Sequence, residues 1–355
     1  MMHTIHIVGL GSSDFDQLSL KTIDYIKQFK KIYLRTEDHP AVKILKKQGY
    51  ALESFDFLYD EYAEDFERVY PAIVDKLCEY AKDCEILYAV PGHPLVAEKT
   101  VQILLNSECP VHIVGGHSFL DDLFTATKVD PIDGFQLLDA FTLTSRQIIP
   151  TQHVFVAQLA HSYIASLAKL ELLKCYPAEH MVQMIDAAGS ANEKSEWLPL
   201  YTIDFFEGVY NLRSLYIPPL SRDESIYSFE TLLSYADDIF SEKVGDVWLK
   251  GQNMNTLLNY YQEELDEYKE SLAEQDIDHQ IEELGDLLMQ FVYQVKTAER
   301  DGLFTLEDVM AEINQKVRRR HPHVFDGVEA KTPEAVDALW QKIKKAEKEG
   351  KYETR

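Results

Sequence analysis

Strand-like and helix-like segments alternate along this chain as far as Ile217, and there the alternation stops. The run Ile217-Pro218-Pro219-Leu220-Ser221-Arg222-Asp223-Glu224 sets two prolines and a polar stretch behind the last strand-like segment. Proline donates no backbone hydrogen bond and disfavours helix in the residue before it, so such a run punctuates the fold. Beyond it no convincing strand appears, and the apolar spacing is helical to the end. The chain must therefore build two bodies of different class. A length of 355 residues points the same way.

Before the break, His3–Val8, Glu85–Val90, Val111–Val114, Val154–Gln158, Met181–Ala187 and Leu212–Ile217 read as strands. Leu18–Phe29, Tyr70–Ala81 and Tyr163–Lys174 read as helices between them. Strands alternating with helices of this length predict a parallel α/β sheet. No stretch approaches the roughly 18 apolar residues of a membrane span. The start runs straight into an apolar strand without a signal-peptide pattern. Cys78, Cys84, Cys109 and Cys175 show no metal spacing or disulfide framework, so reduced thiols and a cytoplasmic protein are expected. With 60 acidic against 35 basic residues and a net charge of -25, the chain lacks the basic face of a nucleic-acid binder. The charged segment closing the chain is expected to fray after Gly350.

The helical part carries the chemistry. Glu263-Glu264-Leu265-Asp266-Glu267 is followed by Glu283-Leu284-Gly285-Asp286, and then by Lys316-Val317-Arg318-Arg319-Arg320-His321-Pro322-His323. Residues three or four apart share a helix face, so Glu264/Glu267 and Glu283/Asp286 are two carboxylate pairs. If their helices pack side by side, four carboxylates converge. That is costly unless a hard cation such as Mg²⁺, which takes oxygen ligands, lies among them. Arginine forks then suit phosphate oxygens. In so acidic a chain, though, an isolated Glu-x-x-Glu is ordinarily a solvated turn. Ile281, Leu284, Leu288, Phe291 and Val295 follow helical spacing and predict a buried stripe. Glu283, Asp286 and Gln290 fall on the opposite side, which fits either solvent or a facing acidic helix.

Two further signals lie in the first part. Gly9-Leu10-Gly11 after the first strand lacks the third glycine of a dinucleotide fingerprint, and spacing alone favours a tight turn. The segments Pro91-Gly92-His93-Pro94 and Gly115-Gly116-His117-Ser118 each place glycine behind an apolar strand, where a ligand could approach the backbone.

From about Val247 to Glu349 the chain resembles the MazG family of nucleoside triphosphate pyrophosphohydrolases. The resemblance rests on Glu-Glu-x-x-Glu, Glu-x-x-Asp, the run Arg319-Arg320-His321-Pro322-His323-Val324-Phe325, and Trp340-Gln341-Lys342-Ile343-Lys344. It implies that Glu264, Glu267, Glu283 and Asp286 hold Mg²⁺, with Glu263 nearby as a ligand or a support. A carboxylate not consumed by the metal could take the proton of the attacking water, and Glu263 is the candidate. It also implies that Trp248, Lys316, Arg319, Arg320, Trp340 and Lys344 meet the nucleotide. The family's Cys-Pro-Trp-Asp is replaced here by Asp246-Val247-Trp248-Leu249. His321 and His323 flank Pro322 in a helix-ending turn and are expected to be structural.

Residues 1 to about 220 resemble the tetrapyrrole methylases, which bind S-adenosylmethionine between two α/β subdomains. The matching positions are Val8-Gly9-Leu10-Gly11, Pro91-Gly92-His93-Pro94, Gly116-x-Ser118, Phe135-Gln136-Leu137-Leu138-Asp139 and Pro199-Leu200-Tyr201. The resemblance implies that Gly9, Gly11, Pro91, Gly92, His93, Gly116 and Ser118 line a cofactor pocket. His93 stands where the family commonly has Asp, and Ser12-Ser13-Asp14 where it has Pro-Gly-Asp, so methyl transfer is the open question.

The whole chain resembles bacterial proteins that join these two domains. The expected architecture is multidomain. Residues 1–220 form an α/β methylase-like region of two subdomains meeting near 112–115, 221–228 a linker, and 229–355 an all-α MazG-like domain. The leading expectation is a Mg²⁺-dependent hydrolase that cleaves nucleoside triphosphates to monophosphates and pyrophosphate, dimeric through its helical domain. The alternative is an S-adenosylmethionine-dependent methyltransferase with the helical domain as dimeriser.

Overall fold

The structure, a computed structural model, describes residues 2–62, 65–210 and 212–349. The expected fraying after Gly350 lies outside them. The chain clusters into two compact units, Met1–Tyr227 and Ser228–Arg355.

In the first unit, β1 (Ile5–Gly9), β2 (Lys31–Leu34), β3 (Ala51–Ser54), β4 (Ile86–Val90) and β5 (Val111–Gly115) form a parallel sheet ordered β3-β2-β4-β1-β5. Helices α1 (Leu20–Ile26), α2 (Pro40–Lys47), α3 (Asp56–Glu61), α4 (Val69–Tyr80) and α5 (Lys99–Leu105) cover it. Side chains alternate across a strand, and both sets here are apolar. Ile5, Ile7, Tyr88 and Val90 pack on Ile73 and Leu77 of α4 and Val101 and Leu104 of α5. Val8, Leu87 and Ala89 pack on Ile26 of α1 and on Val42 and Leu45 of α2. A parallel sheet buried on both faces explains the unbroken apolar run of β4.

The second sheet departs from the expected parallel one. It contains β6 (Phe135–Asp139), β7 (His153–Ala157), β8 (Met181–Asp186), β9 (Lys194–Pro199) and β10 (Arg213–Ile217), ordered β6-β7-β10-β8-β9. Only β6 and β7 run parallel, and the other pairings are antiparallel. The physical reason is connection length. β8 turns back into β9 through Ala187–Glu193, too short for a crossover helix. Helix α6 (Phe119–Thr127) packs on one face against Phe155, Ile185 and Tyr216, and α7 (Ser162–Leu172) on the other against Val154, Val156 and Leu215.

The thiol expectation needs correction as well. Cys78 of α4 and Cys109, just before β5, are disulfide-bonded, with Cα atoms 6.1 Å apart. They are 31 residues apart, and the packing of α4 against the sheet brings them together. Cys84 and Cys175 are free.

The second unit is helical: α8 (Phe229–Phe240), α9 (Val247–Lys250), α10 (Met254–Glu274), α11 (Ile277–Arg300), α12 (Leu306–Arg320), α13 (Pro322–Phe325) and α14 (Pro333–Lys348). Its frame is the hairpin of α10 and α11, packed along their lengths. Gln275 ends α10 in the left-handed conformation (φ 58°), and the Asp276 side chain caps the first turn of α11. Pro322 stops α12, and Thr332 caps α14 ahead of Pro333.

The predicted buried stripe on α11 is largely uncovered within the chain. Ile281, Leu284 and Leu288 are 65%, 50% and 43% exposed, whereas Glu283 is 4% exposed and Gln290 is buried. The face toward α10 is thus the polar one. Among the described residues, no helix is long and apolar enough to cross a membrane.

The thiol state is checked directly. Denatured protein prepared without reductant should titrate two thiols per chain, and four after reduction. Reduction should cost the first unit about 2–4 kcal/mol, read from chemical unfolding.

Candidate functional site

The α10–α11 hairpin faces its acids inward. Glu264 and Glu267 sit one turn apart on α10, Glu283 comes from α11, and each offers a carboxylate oxygen within 4.8 Å of the others. Asp286, the fourth predicted ligand, lies one turn beyond Glu283, outside this group of three but close enough to act electrostatically on Glu264. Glu263 is exposed beside the cluster. Gln290 Nε2 donates to Glu264 Oε1 at 3.3 Å, and His279 Nε2 lies 3.1 Å from Glu283 Oε1. Glu283 Oε2 is buried without a hydrogen-bond partner.

The electrostatics follow from that crowding. Burial, followed by Asp286, Glu267 and Glu283, raises the Glu264 carboxyl above its usual range against the Gln290 hydrogen bond. Repulsion from Glu283 is the largest cause raising Glu267. An all-oxygen donor set of like charge, with one buried oxygen unsatisfied, fits a hard divalent cation such as Mg²⁺.

A second constellation joins α12 to α14. Glu347 accepts from Arg319 Nε at 2.7 Å and from Arg320 Nη2 at 2.7 Å. Arg320 and Lys344 both lie over the Trp340 ring, at 5.6 and 4.3 Å from its centroid. Hydrogen bonds from Arg320, then from Arg319, hold the Glu347 carboxyl down at about 2. Sequence reasoning missed Glu347. Its signal was the helical spacing Trp340, Lys344, Glu347, which sets all three on one face.

Two predicted nucleotide contacts make other pairings. Lys316 pairs with Glu312 at 3.3 Å, and Trp248 packs edge-on against Tyr260. Asp246 caps α9 through Leu249 N, which gives the altered Asp246-Val247-Trp248-Leu249 turn its own closure. His321 Nδ1 donates to Val317 O at 2.7 Å.

In the first unit, the ends of β1, β4 and β5 meet. Gly92 N donates to Gly11 O at 2.7 Å. A Cβ on Gly9 would come within 2.1 Å of Gly92 O, and one on Gly116 within 2.6 Å of Gly9 Cα, so only glycine permits the approach. Beside this junction opens a cleft of about 210 Å³ lined by Pro91, Gly92, Arg35, Glu98, Gln158 and Arg213, among others. Of the predicted set, Pro91 and Gly92 face the cleft, and Gly9, Gly11 and Gly116 buttress it from behind. His93 accepts from Leu95 N, and Ser118 caps α6, so both are spent on local turns.

What sequence reasoning missed here is the polar lining. Arg35 pairs with buried Glu98 at 2.9 Å and donates Nε to Tyr59. Burial opposes the Arg35 charge, but Glu98 and Tyr59 outweigh it and hold it firmly protonated. Arg213 pairs twice with Asp186 and stacks on Tyr210, and its Nη1 is buried without a partner. Ala97, Gln158 and Ala187, which also line the cleft, hold positive φ at 53°, 68° and 50°. Nothing in their identity announces that conformation, which is uncommon outside glycine.

The comparisons with known proteins are consistent with this geometry. The family of tetrapyrrole (corrin/porphyrin) methylases matches residues 4–204, more than half of the chain. The chain belongs to the tetrapyrrole methylase family. Behind the methylase unit it carries a MazG nucleotide pyrophosphohydrolase domain, matched over residues 252–325. YabN of Bacillus subtilis, named as an uncharacterized protein, is 39% identical over 353 residues, 98% of this chain and 72% of its own length. The nucleoside triphosphate pyrophosphohydrolase of Escherichia coli K12 is 36% identical over 119 residues, 34% of this chain and 45% of its own length. The nucleoside triphosphate pyrophosphohydrolase/pyrophosphatase MazG of Thermotoga maritima is 38% identical over 127 residues, 36% of this chain and 48% of its own length. The match thus spans less than half of either pyrophosphohydrolase.

The acid cluster predicts a stability signature. Raised carboxyl values mean stability that is full below the ordinary carboxylate range and lost as pH rises through the raised values. At neutral pH the metal-free MazG unit carries that cost. Glu267→Gln should therefore raise its melting temperature without divalent cation. Mg²⁺ should raise the melting temperature of the parent and leave the variant nearly unmoved, both read by calorimetry.

Proposed function

We propose that the MazG unit hydrolyses nucleoside triphosphates to monophosphates and pyrophosphate, and that it does so with Mg²⁺. The observation that carries the reading is the convergence of Glu264, Glu267 and Glu283, the last with a buried carboxylate oxygen that has no hydrogen-bond partner. Glu264, Glu267, Glu283 and Asp286 would hold the cation, which when bound neutralises phosphate oxygens and makes a bound water more acidic.

The chain's own residues supply the rest. Arg319, Arg320 and Lys344 bind the phosphate chain and stabilise charge on the departing pyrophosphate. Trp340, beneath two of these cations, offers the base or sugar an apolar surface. Glu263, exposed beside the cluster, takes the proton of the attacking water. The methylase unit binds S-adenosylmethionine in its cleft. That ligand supplies an electrophilic methyl group, while Gly92 backbone and the Gln158 and Ala187 turns shape the wall that receives it. We place the protein in the cytoplasm, where nucleoside triphosphates and S-adenosylmethionine are found. The acidic surface argues against nucleic acid as a partner.

The functional assay is direct. With Mg²⁺ and a panel of ribo- and deoxyribonucleoside triphosphates, chromatography should show monophosphate and pyrophosphate. Glu267→Gln and Asp286→Asn should each lower turnover by at least about 100-fold, on the scale of losing a transition-state contact. Diphosphate and phosphate as products would sink the reaction as written.

A homodimer through the MazG unit is part of the same proposal. The uncovered Ile281, Leu284 and Leu288 of α11, with Met310, Ile313 and Val317 of α12, are too apolar a set for solvent. Light scattering at micromolar concentration should return twice the chain mass, and Leu288→Asp should return the chain mass.

A further inference from the structure

Arg319 and Arg320 are consecutive, so their side chains leave α12 about 100° apart. Even so, both guanidiniums converge on one carboxylate. Arg319 reaches Glu347 Oε1 through Nε, and Arg320 reaches Oε2 through Nε at 3.2 Å and Nη2 at 2.7 Å. That edge-on grip leaves Arg320 Nη1 outside the pair. All three side chains are largely shielded, at 22%, 20% and 15% exposure. Trp340 underlies Arg320, and its Nε1 is buried without a partner, as is Nδ1 of neighbouring His323.

The pair is a poor device for stability alone. Glu347 sits in the last turn of α14, where a carboxylate opposes the helix dipole. What it accomplishes is geometric. Two long, flexible cations that would repel each other are fixed on one carboxylate, with Arg320 over the Trp340 ring, before any ligand arrives. Holding such side chains in advance removes an ordering cost from binding.

We propose that Glu347 is a positioning residue of the nucleotide site, gripping Arg319 and Arg320 so that Arg320 presents its outer nitrogen to the phosphate chain. The identity of the ligand rests on the hydrolase reading above, whereas the grip itself does not. Glu347 acts through the arginines and touches no reacting atom. Because those arginines keep its carboxyl at about 2, the grip persists throughout the working pH range.

The test is isothermal titration of the full chain with inorganic triphosphate in the absence of divalent cation. Glu347→Gln should weaken binding by about tenfold, the scale for releasing one partner of a charge-paired group at a binding site. Glu347→Asp, which keeps the charge and nearly the reach, should recover most of that loss. Placed on Arg320→Ala, Glu347→Gln should add less than about twofold, because residues acting in series are not additive. Three results would overturn the proposal: unchanged binding in Glu347→Gln, a full additive loss in the double variant, or tighter binding. The last would mark Glu347 as a competitor of phosphate. The two readings also fail separately. Absent hydrolysis with this binding pattern removes the hydrolase and leaves the grip. Normal hydrolysis with binding indifferent to Glu347 does the reverse.

Discussion

Carboxylates that share a space repel, and the MazG unit places one of them, Glu283, in a buried position facing two others. Nothing in that cluster holds itself together. The hairpin of α10 and α11 does, through its packing and through the turn at Gln275 and Asp276 that sends the second helix back along the first. The acids are positioned by apolar contacts and caps elsewhere in the unit, such as buried Val292, Val295 and Ala298 further along α11. Local cost at a site, offset by the surrounding fold, is the usual mark of function rather than of stability.

The same division of labour appears in the methylase unit. Its parallel sheet is a continuous apolar slab whose strands end together, and the cleft opens at those ends. The rigid slab brings Gly9, Gly92 and Gly116 into backbone contact. Around that junction the chain tolerates left-handed backbone at Ala97, Gln158 and Ala187, at a cost of order 1 kcal/mol each. Two arginine–carboxylate pairs, Arg35 with buried Glu98 and buried Arg213 with Asp186, fix the polar wall.

Legibility in the sequence followed the range of the interaction. Elements set by local periodicity were readable: β1, β4, β8 and β10 fall within a residue or two of the apolar runs that announce them. So was the acid pairing, because Glu264 and Glu267 obey a one-turn rule. What escaped depends on long-range contact. Strand direction in the second sheet hangs on a short turn after β8. The Cys78–Cys109 bond hangs on how α4 lies against the sheet. The stripe of Ile281, Leu284 and Leu288 was correctly periodic but wrongly assigned to the interior, since periodicity marks a face without naming what covers it. Glu347 escaped because its partners lie on another helix, beyond two prolines.

The order of these parts along the chain sets an order in time. Glu264, Glu267 and Glu283 all belong to one hairpin, whereas the Arg319–Arg320 pair waits for a carboxylate in the last turn of α14. A polypeptide leaving the ribosome can therefore close its acidic hairpin while its arginines are still without their counter-charge. During synthesis the acid cluster and the arginine pair mature in sequence, and the arginine pair comes last.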